Sequence, residues 1–278
     1  MKRILLVAGF LVLAAQLPLW GYDSSPSHIQ IIPEVIWAAA TGGGTWVTEL
    51  QITNLSSFEL YVGLRFDTAA GSAGTILIGP IAAANSVKYS NILDTMDALD
   101  GSGWVYYGNV GGLVVCETSL TGLIQVQAKT VNGNYGKTFP GLNVVAGNTA
   151  AEGRPVIIQD IVRSSAYRTS VGVYNSNDTE FTADFWVIDA AGETVGSSFS
   201  KTIPAYGFLS FNPFTQAGIT SGTYENCLLY VEVSSGSSAS YGLMLYGSLA
   251  NNYSNDTCAL LAKQYGSAPS LLPPPFRR

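Results

Sequence analysis

The sequence predicts an all-β protein that consists of two tandem antiparallel β-sandwich units derived from an internal duplication. Three observations favour this fold class. Residues 45–71 align with residues 166–192 without a gap, and such a repeat indicates repeated structural units. In both copies apolar side chains recur at every second position, which is the periodicity of a strand with one buried face. Clusters of Gly, Ser, Asn and Asp separate these segments, as is typical of turns.

Identical residues occupy equivalent places in the two copies. They are Thr48 and Thr169, Asn54 and Asn175, Glu59 and Glu180, and the Ala-Ala-Gly triplets 69–71 and 190–192. Duplication of a structural residue explains such pairs better than duplication of an active site. We therefore interpret the recurring residues as scaffold and expect specific functions where the copies differ, as at Trp186 opposite Arg65.

The alternation assigns a face to each side chain of these strands. Leu50 and Ile52 in the first copy, like Val171 and Val173 in the second, are predicted to be buried. The opposite face is expected to be in contact with solvent. Its acidic residues include Glu49, Asp67 and Asp184.

Strands account for nearly all of the predicted secondary structure. In the first unit they are 46–53, 59–67, 75–79, 86–90, 104–107, 112–118 and 123–130; in the second they are 167–174, 180–188, 196–202, 207–212, 227–234 and 240–248. Six or seven short strands in each unit, with turn residues between them, favour a β-sandwich. The one helical segment expected in either unit is Asn91–Leu99, which has room for a turn or two.

The termini and the middle of the chain differ from the two units in composition. Lys2 and Arg3 precede an apolar run, and this pattern predicts a secretory signal peptide over residues 1–21. We place the sandwich units at residues 30–142 and 154–266, with a linker at 143–153 and a Pro-rich tail at 267–278. The protein is therefore expected to be secreted or at the cell surface, with the periplasm as an alternative compartment.

A set of short motifs is shared with a known class of proteins. The motifs are Ile32-Pro33, Thr48–Asn54, Ala69–Gly71, Asn134-Tyr135-Gly136 and Ile203–Ala205. In these motifs the chain resembles secreted bacterial proteins with tandem Ig-like β-sandwich domains. The resemblance implies an Ig-like fold and an exported protein, and it implies no particular activity.

The charge composition limits the classes of partner. Charged residues make up 12% of the chain and the net charge is −6, with no basic cluster. Binding to nucleic acid or to anionic membranes needs Lys and Arg patches, so neither partner is expected, nor is membrane insertion of the mature chain. The expected partners are an extracellular protein, a polysaccharide or a second copy of the chain.

Cysteine, histidine and acidic residues bear on the chemistry. The chain has 3 cysteines, and in an oxidising compartment we predict a Cys227–Cys258 disulfide with Cys116 as a buried free thiol. The single histidine, His28, lies near the expected mature N-terminus, which disfavours His-dependent catalysis and His-ligated metals. No catalytic residues and no cofactor are predicted. Calcium stays as a weak alternative.

The calcium alternative depends on Asp94, Asp97 and Asp100, which precede a glycine. Their spacing differs from that of the EF-hand loop. Paired carboxylates could also serve a secreted glycoside hydrolase, with Glu49, Asp67, Glu180 and Asp184 as its candidates. We disfavour this enzyme because these acids are expected on exposed strand faces.

Aromatic residues give the positive indication of a ligand site. The candidates are Trp186, Tyr174, Trp104 and Tyr106. Exposed aromatic rings stack on sugars or anchor protein partners, although these rings could instead cover a contact between the units. The sequence favours a non-enzymatic secreted or cell-surface module for adhesion or assembly. The alternatives are a carbohydrate-binding module and a subunit of an extracellular filament or surface layer.

Overall fold

The computed structural model describes residues 23–40, 43–101, 106–143, 149–236 and 242–264. The predicted signal peptide and the predicted Pro-rich tail lie outside these ranges. Within them the chain forms two antiparallel β-sheets and two short helices, so the predicted all-β class is confirmed. No helix in the described ranges has the length and apolar character needed to cross a membrane.

The first sheet contains eight strands, which we call the first unit. They are β1 (Ile29–Ala39), β2 (Thr45–Asn54), β3 (Leu60–Thr68), β4 (Gly71–Ile81), β5 (Ser86–Tyr89), β6 (Asn109–Glu117), β7 (Ile124–Asn132) and β8 (Tyr135–Pro140). Strands β1 and β2 pair only beside their hairpin, from Ala38 opposite Trp46. The sheet therefore folds at that corner into a front layer, β4-β3-β6-β1, and a back layer, β5-β2-β7-β8.

The second sheet contains ten strands, which we call the second unit. They are β9 (Thr149–Ala150), β10 (Val156–Arg163), β11 (Tyr167–Tyr174), β12 (Phe181–Ile188), β13 (Phe199–Ile203), β14 (Phe208–Phe211), β15 (Tyr224–Ser235), β16 (Leu243–Asn251), β17 (Thr257–Leu261) and β18 (Lys263–Gln264). The strand order β13-β12-β15-β10-β11-β16-β17 repeats that of the first unit, and β14 pairs with β11 as β5 pairs with β2. The front layer here is β13-β12-β15-β10 and the back layer is β14-β11-β16-β17.

A helix follows the short strand of each back layer. Helix α1 (Ile92–Asp100) confirms the helical segment predicted from the sequence, and the Asn91 side chain caps it by accepting from the Asp94 N–H. Helix α2 (Pro213–Gln216) was not predicted, although Asn212 caps it and a proline opens its first turn. This pattern of a cap residue followed by proline is a usual sequence signal for a helix start.

Recurring Thr residues connect the two layers within each unit. The Thr48 hydroxyl accepts from the Ile36 N–H at 2.8 Å, and the Thr169 hydroxyl accepts from the Val162 N–H at 2.8 Å. Each hydroxyl also lies within hydrogen-bond distance of the carbonyl of the same residue. Both threonines are fully buried, so these bonds satisfy backbone groups that the β1–β2 and β10–β11 corners leave unpaired.

The recurring Asn residues hold equivalent turns. The Asn54 side-chain amide donates to three carbonyls, those of Phe58, Ile81 and Ala82. The Asn175 amide donates to the carbonyls of Thr179, Ile203 and Pro204 in the same way. The structure therefore agrees with the interpretation of the recurring polar residues as scaffold.

The two units pack face to face through unlike layers. Strand β14 contacts β3 and β6, strands β11 and β16 contact β1, and β17 lies beside β8. Apart from the edge contact between β8 and β17, the front layer of the first unit thus covers the back layer of the second. Four buried side chains of the second unit belong to the hydrophobic core of the first. They are Tyr174, Phe208, Met244 and Tyr246.

Candidate ligand-binding cleft between the units

Two of the four predicted aromatic ligand residues are buried. Tyr174 is 0% exposed and Tyr106 is 2% exposed, because Tyr174 lies in the contact between the units and Tyr106 packs edge-on against Phe66. Trp186 is half-buried on the outer face of β12, where its ring packs against Tyr230 at 5.6 Å. Trp104 lies outside the described residues.

A cluster of three polar side chains joins the units; we call it the arginine junction. Arg65 and Asp67 of β3 form an ion pair, in which Arg65 Nε lies 3.1 Å from Asp67 Oδ1 and 3.0 Å from Oδ2, and Arg65 Nη2 lies 2.9 Å from Oδ2. Tyr174 of β11 donates its hydroxyl hydrogen to Asp67 Oδ2. Asp67 is 0% exposed, so its predicted solvent position is wrong, because the second unit covers the outer face of β3.

Further contacts extend the arginine junction into the second unit. Arg65 Nη2 donates to the Ser176 carbonyl at 2.8 Å, and its guanidinium lies 4.4 Å from the centre of the Tyr206 ring. The ring of Tyr174 lies directly on the backbone of Gly112 in β6, where a Cβ would come within 2.5 Å of it. The close approach of the two units at this point therefore requires glycine.

Burial dominates the electrostatics of the arginine junction. It raises the pKa of Asp67, although the hydrogen bonds from Tyr174 and Arg65 act in the opposite direction. Burial and the neighbouring Asp67 carboxylate raise the pKa of Tyr174 well above its ordinary value. Tyr174 therefore acts as a hydrogen-bond donor at neutral pH.

A second cluster, the lysine junction, has the same three kinds of group. Lys137 of β8 contacts Glu34 Oε1 of β1 at 2.8 Å, and Tyr246 of β16 donates its hydroxyl hydrogen to Glu34 Oε2. Lys137 Nζ also donates to the Ser248 hydroxyl at 3.0 Å. Burial and the Glu34 carboxylate raise the pKa of Tyr246 well above its ordinary value.

A cleft with a volume of about 260 Å³ opens beside the lysine junction, and both units line it. The first unit contributes the half-buried ring of Trp46 and the Glu34–Lys137 pair, and the second contributes Arg168 from the start of β11. Hydroxyl side chains cover much of the remaining wall. They are Thr130, Ser170, Ser210, Ser248 and Thr257.

Among the described residues, two side chains of the cleft keep polar groups available to a ligand: Arg168 lacks an acidic partner and Thr257 lacks a hydrogen-bond partner. Arg168 is held by the amide oxygens of Asn252 at 2.8 Å and Asn255 at 3.3 Å, and no acidic side chain of the described residues pairs with it. The Thr257 hydroxyl oxygen is buried and has no hydrogen-bond partner in the same ranges. Such groups make the cleft able to bind a polar or anionic molecule.

A second depression, of about 230 Å³, lies on the outer face of the back layer of the first unit. Glu49, Lys88 and Lys129 line it together with amide and hydroxyl side chains, and Lys88 pairs with Glu49 at 2.9 Å. No aromatic residue lines it. This surface provides a charged control for experiments on the cleft.

The predicted carboxylate candidates do not form a common site. Glu49 lies on the outer face of the first unit, Asp67 is buried between the units, and Asp184 lies on the outer face of β12, where it accepts from the Ser200 hydroxyl. Glu180 is exposed just before β12. These four carboxylates therefore do not form the pair across a cleft that a glycoside hydrolase uses.

The three calcium candidates lie on a helix. Asp94, Asp97 and Asp100 belong to helix α1 and not to an oxygen-rich loop. In the described part of the chain, no three His, Cys, Asp or Glu side chains form a group able to hold a metal ion.

The predicted Cys227–Cys258 disulfide is wrong, because both residues are free thiols. Cys227 is buried in β15 of the front layer, whereas Cys258 is exposed in β17 at the far edge of the back layer. Adjacent strands lie about 4.8 Å apart, and a disulfide needs Cα atoms within about 7 Å of each other. Cys116 is free as predicted but only partly buried.

Comparisons with known proteins place the chain in no family. No family model matches it, and no curated protein does. Among solved structures, the apo lectin of Pleurotus ostreatus is 11% identical, with 92% of this chain and 89% of that chain covered and a TM-score of 0.21. The lectin of Pleurotus ostreatus in complex with GalNAc is 12% identical over 91% of this chain and 92% of that chain, with a TM-score of 0.21.

A third solved structure is a protein of Parabacteroides distasonis that is assigned as secreted. It is 9% identical, covers 88% of this chain and 91% of that chain, and has a TM-score of 0.17. TM-scores this low carry no argument about the fold or the function of this chain.

Proposed function

We propose that the protein is a non-enzymatic, secreted or cell-surface binding module in which two Ig-like units act as one body. The observation that carries this proposal is the location of the cleft, which is lined by Trp46 of one unit and Arg168 of the other. Ligand sites occur preferentially where domains meet, with a few polar groups pointing into a cleft.

Internal duplication is the second part of the proposal. It is supported by the strand order that the two units share and by the matching bonds of Asn54 and Asn175. It is also supported by the Ala-Ala-Gly turns, in which Gly71 and Gly192 have φ of +103° and +85°, a backbone conformation that glycine adopts readily. The resemblance to exported tandem Ig-like proteins agrees with this origin.

The contact between the units supports a cleft of fixed shape. The arginine and lysine junctions place buried polar bonds within an otherwise apolar contact, in which Phe208 packs against the Tyr246 ring at 6.4 Å. Breaking such bonds leaves buried groups unsatisfied. The walls of the cleft are thus held in position before a ligand binds, which reduces the entropic cost of binding.

The proposal is tested by closing the cleft in the purified mature chain. Binding to a panel of polysaccharides and extracellular proteins is measured for the parent, for Ser170→Trp in the cleft and for Thr138→Trp in the second depression. We expect Ser170→Trp to abolish binding that Thr138→Trp leaves intact. Binding that survives Ser170→Trp unchanged would contradict the cleft, and turnover of a glycoside or peptide panel would contradict the non-enzymatic assignment.

A carbohydrate-binding surface at Trp186 is a second candidate. The supporting observation is the half-buried Trp186 ring packed on Tyr230 on the outer front layer of the second unit. Polysaccharide pull-down with Trp186→Ala tests it. Unchanged retention by the variant excludes Trp186.

Assembly into a filament is a third candidate. Apart from the β8–β17 edge, the units contact each other through unlike layers, and a contact of this head-to-tail kind can continue from one copy to the next. Sedimentation at high protein concentration tests this candidate, and a monodisperse monomer would count against it.

A further inference from the structure

We infer that the cleft between the units binds an acidic saccharide, with the sugar carboxylate on Arg168 and a sugar ring against Trp46. This inference rests on the proposed binding function and adds to it the chemical class of the ligand. It depends on the charge of the cleft, the character of its walls and the positioning of its one unpaired cation.

The charge of the cleft is opposite in sign to that of the chain. The chain has a net charge of −6, yet the ionised residues of the cleft are Glu34, Lys137 and Arg168. Glu34 and Lys137 neutralise each other at 2.8 Å. Arg168 remains as the cation with no acidic partner in the described ranges, so the cleft attracts a single negative charge on a ligand.

Arg168 is already oriented by its neighbours. Two of its guanidinium nitrogens donate to Asn252 and Asn255, which fixes the plane of the group while other N–H donors stay available. A guanidinium with a fixed plane binds a carboxylate through two parallel hydrogen bonds. This geometry favours a planar carboxylate as the anionic group of the ligand.

The remaining walls are suited to a sugar ring. Trp46 offers a half-buried aromatic face, on which the apolar face of a pyranose can stack. Ser170, Ser210 and Thr257 offer hydroxyls that donate and accept hydrogen bonds, and the Thr257 hydroxyl is buried without a partner among the described residues. A saccharide hydroxyl would satisfy it.

The size of the cleft limits how much of a saccharide can enter. Its volume of about 260 Å³ is slightly below the range of roughly 300–1,000 Å³ that is usual for pockets holding drug-sized ligands. The ligand is therefore a short oligosaccharide or the end of a longer chain. The second depression has an unpaired lysine, Lys129, but no aromatic wall, so it should not share this specificity.

Calorimetric titration of the full mature chain tests the inference. The probes are oligosaccharides of galacturonate, glucuronate and mannuronate, and the matched neutral probes are their methyl esters. We expect at least one uronate to bind, its methyl ester to bind at least about tenfold more weakly, and added salt to weaken binding of the acid.

Three variants identify the site. Arg168→Ala and Trp46→Ala should each weaken uronate binding by at least about tenfold. Lys129→Ala is the control, because it removes one positive charge, as Arg168→Ala does, but outside the cleft. It should change uronate binding by less than about twofold. Thermal unfolding confirms that each variant is folded. Because Arg168 is exposed, its substitution should leave the fold intact.

The outcomes separate failure of the inference from failure of the proposed function. Uronate binding that is unaffected by Arg168→Ala, or no uronate binding at all, overturns the inference. If another member of the panel binds and Ser170→Trp abolishes that binding, the binding function stands with a different ligand class. If no panel member depends on the cleft, both are overturned.

Discussion

The arginine and lysine junctions contain the same three kinds of group but differ in their access to the cleft. In each, a carboxylate and a cation of the first unit meet a tyrosine of the second. Asp67 of the arginine junction is fully buried, whereas Glu34 and Lys137 of the lysine junction line the cleft. The comparison indicates that one junction closes the contact between the units and the other forms part of the wall of the cleft.

A comparison of the two units separates contacts that recur in both from contacts that occur in one. Thr48 and Asn54 make the same hydrogen bonds as Thr169 and Asn175. In contrast, Arg65 anchors the contact between units, while Trp186 at the equivalent position lies on an outer face. Interior and turn contacts recur, and the chemistry of the outer faces differs.

Removing the carboxylate of each junction should give the largest effect and the clearest difference. Asp67→Ala leaves the Arg65 cation and the Tyr174 hydroxyl without their partner, and should lower the free energy of unfolding by about 3–5 kcal/mol. Glu34→Ala should cost about 1–3 kcal/mol, because the Glu34 carboxylate is partly open to the cleft whereas that of Asp67 is fully buried. Urea denaturation measures both values. Equal losses would contradict the difference in burial between the junctions.

Crowding the contact at Gly112 should give the next largest effect. A Cβ at Gly112 would lie 2.5 Å from the Tyr174 ring, whereas a Cβ at Gly63 would meet only the Cys116 carbonyl at 3.7 Å. Gly112→Ala should therefore destabilise the chain by about 1–3 kcal/mol, and Gly63→Ala should have a much smaller effect. Similar denaturation midpoints for the two variants would show that the Tyr174 ring does not rest on β6.

Alkaline pH should affect both junctions through their tyrosines. The pKa of Tyr174 and that of Tyr246 are raised in the folded chain, so above about pH 10 the unfolded chain loses protons that the folded chain retains. Stability contributed by each phenol is present at lower pH and falls by about 1.4 kcal/mol per pH unit above that point.

Phenylalanine variants test this dependence. Tyr174→Phe and Tyr246→Phe should each reduce the slope of unfolding free energy against pH by about 1.4 kcal/mol per pH unit between pH 10 and 11. At neutral pH, Tyr174→Phe should cost more than Tyr246→Phe, since the Asp67 carboxylate is the more buried acceptor. A slope that neither substitution alters would contradict the assignment of both phenols as protonated donors.

Reducing agents should have the smallest effect. Because Cys227 and Cys258 lie in different layers of the second unit, dithiothreitol should not shift the melting temperature. Alkylation of the denatured, unreduced chain should modify all 3 cysteines, as read by intact mass. A mass that shows only one modified cysteine would mean that the other two form a disulfide, and would contradict the free thiols of the structure.

Much of the fold could be predicted because local sequence determines it. The two-residue alternation identifies the strands, and Asn54 with Asn175 identifies the turns. What alternation cannot show is which outer face another unit covers. For this reason Asp67 and Tyr174 were expected in solvent, although each lies on the strand face that the sequence assigned to it.

The candidate site was harder to predict than the fold. Trp46 and Arg168 come from different units and meet only because β11 and β16 pack against β1. Two signals were nevertheless present in the sequence. Arg168 lies on an outer strand face, and the Asn-rich segment 251–256 supplies the amides that hold it.

The central claim is that ligand binds between the units and not on the outer face at Trp186. The most direct measurement is an NMR titration of the labelled mature chain with the uronate oligosaccharides, following the tryptophan indole and arginine side-chain N–H signals. The account predicts that the Trp46 and Arg168 signals shift together and saturate while the Trp186 signal stays in place. A saturating shift of Trp186 with Trp46 unchanged would contradict it.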